Sequence, residues 1–189
     1  MDAVQLLTAD HNRVRGLFAQ ARAAHDADDT ATLVALARTI FTELDIHTRI
    51  EEEIFYPEIK DASEQVKEIV AEGLQEHHVV DQLIEEMKAL DPSDESWPAK
   101  LTVMMENVEH HAEEEESEMF PKVRGALGRK RLELLAERLE GKKAELGAPT
   151  IADKEHLSTD DLARLAREQD IPGRSTMKRE ELLATVSPE

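Results

Sequence analysis

Cysteine is absent from the 189 residues. Disulfides, iron–sulfur clusters, thiolate zinc sites and cysteine nucleophiles are therefore excluded. Aromatic residues make up only 3% of the chain, which argues against an aromatic-rich β-sandwich. No run approaches about 18 consecutive apolar residues, so a membrane span is not expected. The start, MDAVQLLTADHNRV, has neither a basic stretch nor an apolar signal core, and a cytoplasmic location is the expectation. Basic residues are few: 23 Lys and Arg stand against 42 Asp and Glu, a net charge of -19. That excess repels phosphodiester backbones, so non-specific nucleic-acid binding is not expected.

What remains is rich in Ala, Leu, Glu, Lys and Arg, the composition of long helices. Four apolar stripes step by three and four residues, as one buried helix face does. They run Val4, Leu7, His11, Val14, Phe18, Ala21; Leu33, Leu36, Ile40, Leu44, His47, Ile50, Ile54; Val66, Val70, His77, Val80, Ile84, Met87; and Leu101, Met104, Val108, His111, Glu115, Met119. Asp29 or Thr30 can cap the second helix, and Pro98 suits the first turn of the fourth. Short connections predict an all-α fold, an antiparallel up-down four-helix bundle over residues 1–125. Residues 126–146 predict an additional amphipathic helix packed on the outside, and 147–154 a linker. Residues 155–189 predict a small helix–turn–helix unit, with Ser158 and Ser175 as caps.

The bundle repeats itself. Asp10-His11, Val14 and Leu17 return as Glu76-His77, Val80 and Leu83, 66 residues later. His47, Glu51, Glu52 and Phe55-Tyr56-Pro57 return as His111, Glu115, Glu116 and Met119-Phe120-Pro121, 64 residues later. Each hairpin thus offers one His, then a His-x-x-x-Glu whose members lie one turn apart on one helix face. A single His on an apolar stripe is ordinarily a hydrogen-bonded core residue. Four of them with two inward carboxylates are hard to satisfy without a cation. Imidazole and carboxylate without thiolate suit iron, manganese or zinc. Six ligands exceed what one zinc takes, and suit two octahedral ions bridged by the two glutamates, with positions left for a small ligand such as O2, NO or peroxide. The Glu-x-x-His of ferritin-like bundles and the His-Glu-x-x-His of zinc proteases are both absent.

His11, His47-x-x-x-Glu51, His77 and His111-x-x-x-Glu115, with the flanking Phe-Tyr-Pro and Met-Phe-Pro, resemble the hemerythrin-like (HHE cation-binding) domain over about residues 1–125. The resemblance implies a four-helix bundle holding two iron ions in a bridged non-haem centre. The metal ligands would be His11, His47, Glu51, His77, His111 and Glu115. Oxygen-carrying hemerythrins of invertebrates have His-x-x-x-His in the third helix. Here Asp81 stands four residues after His77. The symmetrical set is closer to bacterial hemerythrin-like proteins, which implies peroxide or NO chemistry, sensing or iron handling. Enzyme, sensor and metal-free bundle all stay open at this point.

Several residues invite over-reading. His78 and His110 are rotated about 100° from the stripes. His25 and His156 have no partner in the pattern and read as solvated. Within Glu113–Glu118, Glu115 and secondarily Glu118 turn inward. Tyr56, the single tyrosine, lies nearly opposite His47 on a regular helix wheel. A structural role at the helix end is the first reading, with a metal-bound phenol as the alternative. Asp81 can orient a ligand or sit on a solvated face. Gly73 replaces the Leu7 of the first repeat, leaving room for a small ligand or for close helix packing. Residues 155–186 resemble the N-terminal module of the terminator Rho and, more loosely, SAP modules. Those are linked to nucleic acid, but from Asp153 onward six basic residues face nine acidic ones. A protein docking module is the expectation, with nucleic acid unlikely.

Overall fold

A computed structural model describes residues 1–187, apart from the side chain of Ala152. It is helical throughout, with no strand among the described residues. Helix α1 (Ala3–Asp26) starts at a reciprocal cap: Gln5 N–H donates to Asp2 Oδ1 at 2.8 Å and Asp2 N–H donates to Gln5 Oε1 at 2.9 Å. Helix α2 (Thr30–Ile50) is capped by Asp29, which accepts from Thr32 N–H. It runs without a break through a π-turn (Glu51–Phe55) into α3 (Tyr56–Ile59). Helix α4 (Glu64–Ala89) is capped by Ser63. Helix α5 (Trp97–Glu114) repeats the plan of α2, passing through a second π-turn (Glu115–Met119) into α6 (Phe120–Leu127). Prolines 57 and 121 stand in the first turns of α3 and α6, where a missing N–H costs little.

Helix α1 packs on α2 and on α5, and α4 packs on α5. Two apolar cores result. One joins Val4 and Leu7 of α1 to Phe55, Ile59, Val66, Val70, Met119 and Val123. The other joins Val14, Phe18 and Ala21 of α1 to Ile40, Leu44, Val80, Ile84, Trp97, Leu101 and Met104. His11, His47, His77 and His111 fall between the two on every helix that carries them. The polar residues therefore form a layer between two apolar ones.

Helix α7 (Arg129–Glu145), set off by Gly128 at φ 72°, is more than an outer decoration. Leu132, Leu135, Ala136 and Leu139 are buried in the first core. Its Lys143 is buried too and pairs with Asp10. A chain ending at residue 127 is expected to melt broadly or aggregate, whereas one ending at 146 melts cooperatively. Equal thermal transitions for the two would show that α7 is dispensable.

The expected linker is partly structured: α8 (Ile151–Lys154) ends in a buried lysine, whose Nζ donates to the carbonyl of Val186 at 3.0 Å. Helices α9 (Thr159–Glu168) and α10 (Arg179–Thr185) flank a short 3-10 turn (Arg174–Thr176) and share a small core of Leu162, Leu165, Ile171, Leu182, Leu183 and Val186. Ser158 caps α9 as expected. Ser175 caps nothing, because it lies inside the 3-10 turn; the residue before α10 is Lys178, whose N–H donates to Glu181. Residues 188–189 of this unit lie outside the described residues. The unit seats on α1 at Gly16, where a Cβ would come 2.4 Å from the Gln169 carbonyl oxygen. Gly16→Ala is expected to raise the proteolysis rate of residues 155–187 while leaving the bundle folded. An unchanged rate would show that the contact does not hold the unit down.

Candidate metal centre

All six residues singled out by the repeat come together in the polar layer, and all six are buried. His11, His47, Glu51 and Glu115 each bring one ligand atom within 4.8 Å of the others, as do Glu51, His77 and His111. The imidazoles pair across helices. His11 Nε2 lies 3.1 Å from His47 Nε2, and His77 Nε2 lies 3.1 Å from His111 Nε2. Glu51 stands between the pairs: one oxygen is 3.3 Å from His47 Nε2 and the other 3.4 Å from His77 Nε2. Glu115 Oε2 is 3.4 Å from His11 Nε2 and 3.9 Å from His111 Nε2.

The outer nitrogens explain why the inner ones point at each other. His11 Nδ1 meets Glu116 at 2.7 Å, His77 Nδ1 meets Glu52 at 2.9 Å and His111 Nδ1 meets Glu76 at 2.8 Å. His47 Nδ1 faces Asp10 at 3.6 Å. An Nδ1–H held by a carboxylate leaves Nε2 with its lone pair, the state a metal ligand needs. These four acids obey the repeat as the six inward residues do, Asp10 with Glu76 and Glu52 with Glu116. Their signal was visible as Asp/Glu-His and Glu-Glu pairs. One expectation is corrected here: the half-buried inward neighbour of Glu115 is Glu116, while Glu118 is exposed. Of the two readings open for Asp81, its exposure agrees with the solvated face. His25, His78, His110 and His156 are exposed as expected.

Whether these residues fit a metal is answered by what lacks a partner. Both oxygens of fully buried Glu51, Oε2 of Glu115 and Nδ1 of His47 have no hydrogen bond. Buried polar atoms without partners are costly and uncommon. Ligands about 2.1 Å from one ion and at a right angle to each other are about 3.0 Å apart, close to the Nε2 separations here. Without a cation the layer compensates by protonation. Burial, and then the charge of Glu115, push the Glu51 carboxyl up to about 8. Burial works against charge on His11, yet the Glu115 and Glu116 carboxylates beside it raise it to about 9. Burial likewise opposes ionisation of Glu115, but His11 and the surrounding imidazoles outweigh it and pull the carboxyl down.

Tyr56 is the largest departure from expectation. Its hydroxyl donates to Glu115 Oε1 at 2.9 Å and lies 3.4 Å from His111 Nε2, and its ring stacks on His77. Nine regular helical steps from His47 amount to a half-turn of rotation. The π-turn takes up one extra residue, removing about 100° and bringing Tyr56 to within about 80° of His47. A regular wheel cannot show this. The related Phe120 stacks on His11 but carries no hydroxyl. Gly73 makes room for the arrangement: a Cβ there would meet His111 Cε1 at 3.0 Å and the Tyr56 hydroxyl at 3.2 Å. The space it frees is filled by these two groups, not left for a ligand. Gly73→Ala is expected to displace His111 and weaken metal uptake at least tenfold, as measured by titration of the metal-free protein. Uptake equal to that of wild type would refute the close fit.

A cavity of about 30 Å³ opens on the other side, lined by the four histidines and by Val14, Phe18, Leu44, Val80 and Val108. That is room for a molecule of one or two heavy atoms. No helix of the described residues is long and apolar enough to cross a membrane.

Comparison with known proteins agrees with this chemistry. Residues 2–123 match the Hemerythrin HHE cation binding domain. A protein of Nostoc sp. (strain PCC 7120 / SAG 25.82 / UTEX 2576) described as a DNA nickase is 25% identical over 151 residues, which cover 77% of this chain and 40% of that one. The chain thus spans less than half the length of that relative. No solved structure matches the chain. From residue 2 to residue 123, where the histidine layer is built, the chain belongs to the hemerythrin HHE cation-binding domain family.

Proposed function

We propose that this chain is a non-haem di-iron protein, built on an antiparallel up-down four-helix bundle over residues 1–125, that binds or turns over O2-derived species or NO. His11, His47, Glu51, His77, His111 and Glu115 would hold the two ions. The observation that carries the reading is Glu51, fully buried with both oxygens unpartnered between two facing imidazole pairs. Iron would supply a one-electron redox couple and an open position for a small ligand. The chain supplies the rest. Carboxylates on Nδ1 hold His11, His77 and His111 in the tautomer whose Nε2 faces the centre. Tyr56 keeps an O–H on Glu115 Oε1 at the edge of the cluster; burial, and then Glu115 and Glu51, push that phenol well up, so the proton stays on oxygen. Val14, Phe18, Leu44, Val80 and Val108 give the small cavity beside the four histidines an apolar wall, which suits a small ligand.

The test is metal analysis of the purified chain combined with turnover assays on peroxide and NO. Two irons per chain with multiple turnovers support an enzyme. Two irons with stoichiometric binding only favour a second reading, a sensor or iron-handling protein. In that reading the helical unit packed on α1 would be the part that meets a protein partner, at residues 155–186. A chain that stays metal-free after iron loading would sink both. DNA nicking is not proposed: the -19 charge repels the substrate, and the relative so described is covered only to 40%.

A further inference from the structure

The ligands and their carboxylates obey the repeat, but the charges behind them do not. Behind His11, the Arg15 guanidinium bonds Glu116 at 2.8 Å and Glu109 at 3.2 Å. Behind His47, buried Lys143 pairs with Asp10. Both outer carboxylates of this half are thus matched by a cation. In the other half Glu52 stands for Glu116 and Asp45 for Glu109, but the residue at the position of Arg15 is Asp81. After its own partial burial, the fields of Glu52 and Asp45 push the Asp81 carboxyl up. The nearest guanidinium, Arg49, is exposed and 4.0 Å from Asp45. Glu76, which holds His111, has only the exposed imidazole of His110 as a further partner, at 4.0 Å. Lys143 has no counterpart, because α7 lies outside the repeat.

We propose that the two ion positions are electrostatically unequal: the one flanked by His77 and His111 takes up a divalent cation first and holds it more tightly, and the one flanked by His11 and His47 fills second. The inference rests on the two-ion reading above. A charge near a divalent ion in a poorly screened interior changes binding in proportion to both charges. Arg15 and Lys143 work against the position flanked by His11 and His47, while Asp81 and Glu52, which no lysine or arginine matches, favour the one flanked by His77 and His111.

The experiment is titration of the metal-free full chain with Co(II), followed by calorimetry and by visible absorption. Two steps at least tenfold apart are expected. His111→Ala should remove the tight step and His47→Ala the weak one. Arg15→Gln and Asp81→Asn, both outside the ligand cluster, serve as variants that keep the fold. The first should tighten the weak step severalfold and the second should loosen the tight step severalfold. Two equal steps, a reversed order of loss in the histidine variants, or no response to either charge variant would overturn the proposal. Uptake of fewer than two ions by the wild type would overturn the two-ion reading and the proposal with it.

Discussion

Glu51→Gln is expected to leave the metal-free protein about as stable as wild type, within about 1 kcal/mol, while removing at least one of the two ions. The amide keeps the shape of the side chain and has no charge to bury. In the metal-free state Glu51 makes no hydrogen bond, so none is lost. In the loaded state the loss is expected to be large, because an amide lacks the negative charge and one of the two oxygen donors that Glu51 would offer. The effect therefore appears only when metal is present. Melting curves with and without metal, together with metal content, check both halves. Two ions bound by the variant at wild-type affinity would show that Glu51 is not a ligand. Glu115→Gln should cost more without metal, since Tyr56 and His11 both engage that carboxylate.

Metal removal is expected to have the largest effect on stability. A ligand that binds only the folded chain, at 1,000 times its dissociation constant, adds about 4.1 kcal/mol, so two ions add about 8. For a chain of this size each kcal/mol shifts the midpoint by about 2–4 °C. Chelation should therefore lower the melting temperature by roughly 16–32 °C. The reason lies in the layer. Facing imidazoles and the unpartnered Glu51 side chain sit between two apolar cores, where a cation would supply the missing partner. A midpoint unmoved by chelator, in protein shown to have carried metal, would mean that the ions bind elsewhere.

Much of this was legible in the sequence because helix periodicity reports faces well. The stripes placed His11, His47, His77 and His111 inward, and the doubled spacing separated His77 from His78 and His111 from His110. The wheel failed at Tyr56, since a regular rotation cannot anticipate a π-turn. Lys143 was illegible for a different reason. Its partner Asp10 is 133 residues away, and no periodic signal joins a helix outside the repeat to a residue within it. The seat of residues 155–187 on Gly16 was hidden in the same way. A glycine inside a helix signals close approach without saying what approaches.

The glutamates deserve a last consequence. Each reaches a histidine of the opposite hairpin, Glu51 toward His77 and Glu115 toward His11, so neither hairpin alone encloses a complete ion site. Two identical hairpins could build such a centre only as a symmetric dimer. Any substitution would then appear twice, on both sides of the axis. Joining the halves in one chain lifts that restriction. Tyr56 can face Phe120, Gly73 can stand for Leu7, and Arg15 can oppose Asp81, because each is encoded once. The freedom to make one side of the centre chemically different from the other is a property of the covalent link between the hairpins, not of any ligand.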